Sequence, residues 1–263
     1  MKSLLFDYYM QIDYSVPVSK CNYTIKCIPQ NTSRQKIENI KINLFPSSDY
    51  SIGTDGLGNS QIYGSNAEHT SFSFQISGEA LTGIEMYEEK ENESASMIFK
   101  HPYGLNKAGE NIKKYYEKIA SEVRSDDAYE TSLSIMNKLH KDFSYKQLVT
   151  TTETTAEEAF SLGQGVCQDY AHIFISLLHL AKIPARYVTG LIIGEGASHA
   201  WVEILHNGYW YGLDPTNNTS VTTDHIKIGV GRDAKDCMIN RGIMHGGGFH
   251  TQKITVKVEE IKK

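Results

Sequence analysis

Along the N-terminal part of the chain, apolar and polar side chains alternate with a period of two. Every second residue from 6 to 16 is apolar or aromatic, and the alternation returns at residues 21–27, 40–44 and 72–76. This is the period of a strand that buries one face, and several short strands at such spacing are typical of a β-sandwich. The pattern therefore predicts an N-terminal β-sandwich domain over residues 1–104. Weaker strand candidates are residues 81–87 and 97–99.

Beyond residue 105 the apolar positions follow the period of a helix instead. They fall on one helical face in the series 112–123, 129–143 and 170–181. Thr155 and Glu158 have the spacing of a capping box, which predicts a further short helix that begins there. Residues 105–263 are therefore predicted to form a second domain of helices and strands. The fold class predicted for the whole chain is α+β.

The segment from 185 to 214 is predicted to contain antiparallel strands. Asn207 and Gly208 are typical of a two-residue type I′ hairpin turn between strands at 198–205 and 209–213. Counting residue by residue away from this turn places Asp214 opposite Trp201, on the sheet face that His199 shares. His199 and Asp214 then become diagonal neighbours about 7–8 Å apart at the backbone. A slip of one residue would turn Asp214 to the other face, so the register is a sharp prediction.

Cys167 is predicted to lie in the first turn of the helix that carries the 170–181 stripe. The unpaired N–H groups and the positive end of the helix dipole favour an anion there, so a thiol at this position forms a thiolate more readily. With His199 as base and Asp214 orienting its imidazole, Cys167 would be the nucleophile of a catalytic triad. The alternative is a buried structural cysteine beside an incidental His–Asp pair.

Composition and charge narrow the function further. Lys and Arg number 26 and Asp and Glu 31, so the formal net charge of −5 gives no electrostatic reason to expect a nucleic-acid partner. No apolar run is long enough to cross a membrane, and the apolar run at the N-terminus is too short for a signal peptide. We therefore expect a cytoplasmic protein without a membrane partner. The sequence does not predict an oligomeric state.

Neither a metal nor a cofactor is predicted. Cys237, His245 and His250 are near one another in the sequence, but their spacing matches no common zinc pattern. Residues 229–234 fit part of a dinucleotide-binding fingerprint but lack its strand–helix–strand context. The four cysteines are too sparse to suggest a disulfide framework.

Four motifs resemble the transglutaminase-like superfamily. They are GVCQDYAH at 165–172, IPARYVTG at 183–190, SHAWVE at 198–203 and LDPT at 213–216. The chain is most similar to the bacterial branch, whose members are often named as cysteine proteases. Residues 14–18, 55–59 and 231–236 resemble the N-terminal β domain and the C-terminal segment of that branch.

The resemblance implies a papain-like core, in which a helix bearing the cysteine packs on an antiparallel sheet, and a triad of Cys167, His199 and Asp214. We expect acyl transfer through a thioester, with hydrolysis of a peptide or protein amide as the favoured outcome. The alternatives are transfer to an amine, as in a transglutaminase, and a peptide-binding module that keeps the triad without using it. Val166-Cys167-Gln168 differs from the Gln-Cys-Trp of eukaryotic cross-linking members, which weakens the transfer of their calcium-dependent activity.

Three further residues are candidates around the site. Gln164 and Tyr145 are candidates for a second donor to the oxyanion, beside the backbone N–H of Cys167. Trp201 is a candidate for a wall that contacts substrate, with a packing role as the alternative.

Overall fold

The computed structural model describes residues 1–46, 49–88 and 96–262. The strands of the N-terminal part are β1 (Lys2–Ile25), β2 (Gln35–Phe45), β3 (Tyr50–Thr54), β4 (Ser60–Asn66) and β5 (His69–Thr82). Their inward positions carry the alternating apolar residues, so this part of the chain is β, as predicted. Of the two weaker strand candidates, 81–87 is a strand only at residues 81 and 82, the end of β5, and 97–99 is not a strand. Gly83 adopts a positive φ of 69° that ends β5, and Met97–Lys100 is a short 3₁₀ helix.

The helices lie in the middle of the chain, where the longer period predicts them. They are α1 (Glu110–Val123), α2 (Ala128–Asp142), α3 (Ala156–Leu162) and α4 (Cys167–Leu180). The predicted capping box opens α3, because Thr155 Oγ1 accepts from the Glu158 N–H at 3.3 Å and Glu158 Oε2 accepts from the Thr155 N–H at 2.8 Å.

The remaining strands follow the helices or lie between them. They are β6 (Ser144–Tyr145), β7 (Gln164–Gly165), β8 (Ala185–Ile192), β9 (Gly194–Gly196), β10 (His199–His206), β11 (Tyr209–Asp214), β12 (Thr219–Ser220), β13 (His225–Gly231), β14 (Asn240–Gly246) and β15 (His250–Glu260). Within the described residues, five of them form an antiparallel sheet in the order β12-β11-β10-β8-β13. Helix α4 packs on this sheet against β10 and β8. Phe174, Leu177 and Val202 are buried in the apolar core between them.

The other large sheet is centred on β1, a strand of 24 residues. The first half of β1 pairs with β5 and β15, and its second half pairs with β4 and β14, with an irregularity between residues 13 and 18. Among the described residues this is one hydrogen-bonded sheet of eight strands. Because β14 and β15 come from the C-terminal end, the sheet is not confined to the predicted unit 1–104. That boundary and the sandwich arrangement stay predictions.

The two large sheets share an apolar core. Leu191 of β8 and Ile226 and Ile228 of β13 are buried in the same cluster as Phe6 and Phe74 of the first sheet. Through this contact the eight-stranded sheet packs against the five-stranded sheet. In the part of the chain that is described, no helix is long and apolar enough to span a bilayer.

Candidate active site

Cys167 is the first residue of α4, as the sequence predicts, and it is partly exposed. The loop before it is held by Asp169, whose Oδ2 accepts from the Val166 N–H at 2.8 Å and from the Thr150 hydroxyl at 2.7 Å. Burial raises the pKa of Asp169, and these two hydrogen bonds partly offset that rise. The thiol therefore lies at the N-terminus of a well-anchored helix, where the helix dipole favours a negative charge.

The predicted hairpin register is confirmed. His206 faces Tyr209 and Val202 faces Leu213 across β10 and β11. Asn207 and Gly208 have φ angles of 50° and 83°, the left-handed conformation that a type I′ turn requires at both positions. Continuing this register by one pair brings Asp214 to the face of the sheet that carries His199.

His199 and Asp214 form a direct hydrogen bond. The distance between His199 Nε2 and Asp214 Oδ2 is 2.7 Å, and the carboxylate side chain is 0% exposed. Burial alone would lower the pKa of His199, but its hydrogen bonds with Asp214 and Cys167 raise that pKa to about 10. Since Nε2 is engaged by the carboxylate, Nδ1 is the ring nitrogen that remains for the thiol. The His199 imidazole therefore interacts with both the Asp214 carboxylate and the Cys167 thiol.

Two residues that sequence reasoning missed also hold the carboxylate. His225 Nε2 lies 3.3 Å from Asp214 Oδ2, and the Asn217 side-chain amide donates to the same oxygen at 2.7 Å. The Thr216 and Asn217 backbone N–H groups donate to Oδ1 at 3.0 and 3.2 Å. Burial would raise the pKa of Asp214, but the hydrogen bonds from His199, His225 and Asn217 hold it well below its usual range.

The tautomer of His225 follows from its second contact. The Thr222 backbone N–H donates to His225 Nδ1 at 3.3 Å, which leaves the proton on Nε2, facing Asp214. Asn217 directly follows the DPT motif and could have been suspected as part of an Asx turn. No comparable sequence signal indicates His225. It begins β13, and only the order of strands in the sheet brings it close to Asp214.

We expect His225→Leu to lower the free energy of unfolding at pH 7 by about 2 kcal/mol, because a buried carboxylate loses a donor. Urea denaturation of the two proteins measures the difference. His206→Leu is a matched control, since His206 lies 3.5 Å from Asp127, a carboxylate that is 47% exposed, and its loss should cost well under 1 kcal/mol. Equal losses in both variants would contradict the role assigned to His225.

His199, Asp214 and His225 are also the described residues that could hold a metal, because their ligand atoms lie within 4.8 Å of one another. The donor set argues against this. Asp214 Oδ2 already receives N–H groups from both imidazoles and from Asn217, and those protons would repel a cation. The cluster is therefore better described as a buried carboxylate, Asp214, that accepts hydrogen bonds from its neighbours. Of the other metal candidates considered, Cys237 is buried whereas His245 and His250 are exposed.

The three remaining candidates lie around this centre in different ways. Tyr145 and Gln164 are on adjacent short parallel strands, β6 and β7, which precede Cys167. Tyr145 is 53% exposed, so its hydroxyl is accessible from outside. Trp201 is buried, and its ring centroid lies 6.3 Å from that of His199 and 5.4 Å from that of His225. This placement gives Trp201 the packing role behind the imidazoles.

Comparison with known proteins agrees with this architecture. Residues 117–215 match the transglutaminase-like superfamily. An uncharacterised protein of Mycobacterium leprae is 34% identical over 122 residues, which cover 43% of this chain and 43% of that protein. An uncharacterised protein of Mycobacterium tuberculosis H37Rv is 33% identical over 127 residues, which cover 42% of this chain and 40% of that protein. The matched region is thus less than half of either relative.

A solved structure extends the likeness to the whole chain. A provisionally named cysteine protease from Cytophaga hutchinsonii has a TM-score of 0.81 and 21% sequence identity, over 100% of this chain and 92% of that one. At this identity the comparison shows a shared fold, including the strands that flank the matched region. The match to the transglutaminase-like superfamily therefore covers residues 117–215, and this segment contains Cys167, His199 and Asp214.

Proposed function

We propose that this protein catalyses cysteine-dependent acyl transfer and that its usual reaction is hydrolysis of a peptide or amide bond. The observation that carries the proposal is the position of one imidazole. It is hydrogen-bonded to a buried carboxylate, and its pKa is raised by that carboxylate and by a partly exposed thiol at the start of a helix. Such an arrangement suits a nucleophile, a base and an orienting acid.

The proposed reaction begins when His199 Nδ1 takes the thiol proton and Cys167 Sγ attacks the substrate carbonyl carbon. The carbonyl oxygen becomes an oxyanion, which the backbone N–H of Cys167 stabilises together with a second donor from Gln164 or Tyr145. The carbon–nitrogen bond then breaks, His199 protonates the leaving amine, and a thioester remains. Asp214 keeps the imidazole in the required tautomer and stabilises its cationic form.

The second half of the reaction decides between the two enzyme classes. In hydrolysis, His199 removes a proton from water, which attacks the thioester and releases a carboxylic acid and the thiol. In a transglutaminase an amine takes the place of water. We favour water because the motif around Cys167 lacks the tryptophan of the cross-linking enzymes.

The proposal is tested by alkylation with iodoacetamide at pH 6 to 7, followed by mass spectrometry of each cysteine. We expect Cys167 to react at least about 10-fold faster than N-acetylcysteine in the same tube, because an imidazolium–thiolate pair holds more thiolate than a free thiol does. His199→Ala should remove this advantage. Cys237 serves as the internal reference, since burial raises the pKa of its thiol. An unchanged rate in the variant would refute the pair.

Turnover distinguishes catalysis from the non-catalytic alternative. Wild type should release amine from a panel of peptide amides and acyl-coumarins, and Cys167→Ala should not. A labelled primary amine offered in the same reactions reports transfer to an amine. If Cys167→Ala retains full binding of a peptide that wild type never cleaves, the binding-module hypothesis replaces ours.

A further inference from the structure

A cavity of about 340 Å³ lies beside the candidate active site and is not used by the triad. Its lining includes Gln168, which directly follows Cys167, and Ser198, which directly precedes His199. Tyr187 and Thr189 of β8 line it as well. The cavity is therefore lined by the residues next in sequence to the candidate nucleophile and the candidate base.

The opposite wall of the cavity belongs to the other sheet. Tyr8 and Met10 of β1 and Gln252 and Ile254 of β15 line it. On β15 these positions continue the face that is buried at Val256, since alternate residues of a strand share a face. Ile254 nevertheless remains 40% exposed. Along this face of β15, the residue at 256 is therefore buried in the core, whereas the residue at 254 lines the cavity.

The charge of the lining is one-sided. The residues that line the cavity include one cation, Lys235, and no carboxylate. Lys235 Nζ lies 2.6 Å from Glu153, which is outside the lining, and the two side chains are 45% and 66% exposed. An ammonium group brought into this cavity would lose water without gaining an anionic partner, which is costly.

The lining also offers a hydrogen-bonding group with a weak partner. Among the described residues, the Gln252 side-chain amide donates to the thioether sulfur of Met10 at 3.2 Å, and thioethers are weak acceptors. A ligand oxygen would be a better acceptor for this amide. The lining therefore combines apolar surface from Ile254 with an amide able to bind a polar tip.

From these observations we infer that the cavity binds the substrate side chain next to the scissile bond, and that it takes an uncharged or acidic side chain with an apolar stem. The first sheet, with its C-terminal strand β15, would then be a working part of the active site. This inference rests on the proposed function. It adds the substrate class, which the triad alone does not define.

The test uses three dipeptidyl chloromethyl ketones that differ only in the residue bearing the reactive group: methionine, glutamate or lysine. Attack by Cys167 Sγ forms a carbon–sulfur bond and expels chloride, and mass spectrometry locates the adduct. The rate of each reagent is divided by the iodoacetamide rate of the same protein. The iodoacetamide rate measures the reactivity of the Cys167 thiol independently of binding in the cavity. We expect the methionine and glutamate reagents to exceed the lysine reagent at least about 10-fold, the equivalent of 1.4 kcal/mol.

Two pairs of variants connect this preference to the cavity. Ile254→Trp fills the cavity and should lower the methionine ratio at least about 10-fold, whereas Thr255→Trp, on the opposite face of β15, should leave it unchanged. Lys235→Glu should narrow the gap between the methionine and lysine reagents several-fold, and Lys253→Glu should not.

The outcomes separate the two proposals. If iodoacetamide finds no activated Cys167, the proposed function fails. If Cys167 is activated but Ile254→Trp behaves like Thr255→Trp, or the lysine reagent matches the methionine reagent, the cavity inference is wrong and the triad stands.

Discussion

Asp214→Asn should lower the turnover of any amide that the wild type cleaves by about 10³- to 10⁴-fold, a size seen when the acid of such a triad is neutralised. Both carboxylate oxygens accept from N–H groups, so either orientation of an asparagine amide directs an NH₂ group at existing donors. If that NH₂ faces His199 Nε2, the ring proton moves to Nδ1. The imidazole then presents a proton to Cys167 instead of a lone pair.

The same substitution should change the pH dependence of Cys167 alkylation. The raised pKa of His199, about 10, keeps the imidazolium present through neutral and mildly alkaline pH. Without the Asp214 hydrogen bond this pKa should fall toward the ordinary value of about 6.5, and the ion pair should be lost at correspondingly lower pH. Rates measured from pH 5 to 11 show the shift.

Asp142→Asn is the control for this experiment, because Asp142 accepts a hydrogen bond from Tyr115 at an exposed position. It should leave both turnover and the pH profile unchanged. Turnover of Asp214→Asn within 10-fold of wild type, with the protein folded, would show that the carboxylate does not orient the base.

Glu203→Gln should reduce the free energy of unfolding at pH 7 by about 3–5 kcal/mol, the usual cost of removing one partner from a buried ion cluster. Glu203 is fully buried on β10. Its Oε2 lies 2.7 Å from an Arg186 nitrogen, and Lys227 Nζ lies 3.1 Å from both of its oxygens. Glu88 contacts the same two cations. Among the described ion pairs of Arg186 and Lys227, the variant would keep those with Glu88 and lose those with Glu203.

The pH dependence has a defined sign. Burial would raise the pKa of Glu203, but Lys227 and Arg186 lower it well below its usual range. Its stabilisation is therefore complete above the unfolded pKa of about 4.3 and is lost as the pH falls through the lowered folded value. Urea denaturation between pH 7 and pH 3 should show a steeper loss in wild type than in Glu203→Gln.

Glu38→Gln is the matched control, since Glu38 pairs with Lys36 at 2.7 Å where both side chains are more than half exposed. It should cost well under 1 kcal/mol. Glu203→Gln should also keep most of its Cys167 reactivity per folded molecule, because the described ion pairs of the cluster join Glu203 and Glu88 to Arg186 and Lys227 and include no triad residue. A stability unchanged by Glu203→Gln would show that the buried cluster contributes nothing.

The parts of the site that depend on local pattern could be predicted from the sequence. The start of α4 follows from the helical stripe after Cys167, and the pairing of His199 with Asp214 follows from a turn whose two residues fix the register. His225 could not be found in this way. Its contact with Asp214 depends on β13 lying on the far side of β8, a choice of sheet order that no local pattern encodes.

The same distinction applies to the fold. The alternation along β1 predicts a strand with one buried face, but it does not identify the neighbours of that strand. Val256 and Val258 alternate like any other half-buried segment, and only the structure shows that they pair with Tyr8 and Phe6. Long-range pairing is set by the complementarity of whole faces, which is spread over many residues.

The long strand β1 has a consequence for how this protein is made. One of its neighbours, β5, is synthesised soon after it, whereas β15 is synthesised only after the four helices and the five-stranded sheet. While the chain grows, the edge of β1 that will receive β15 has no native partner, and such unpaired edges invite association with other chains. A nascent chain should thus need chaperone protection until β15 has been synthesised, and the wall of the cavity beside Cys167 should form only after that point.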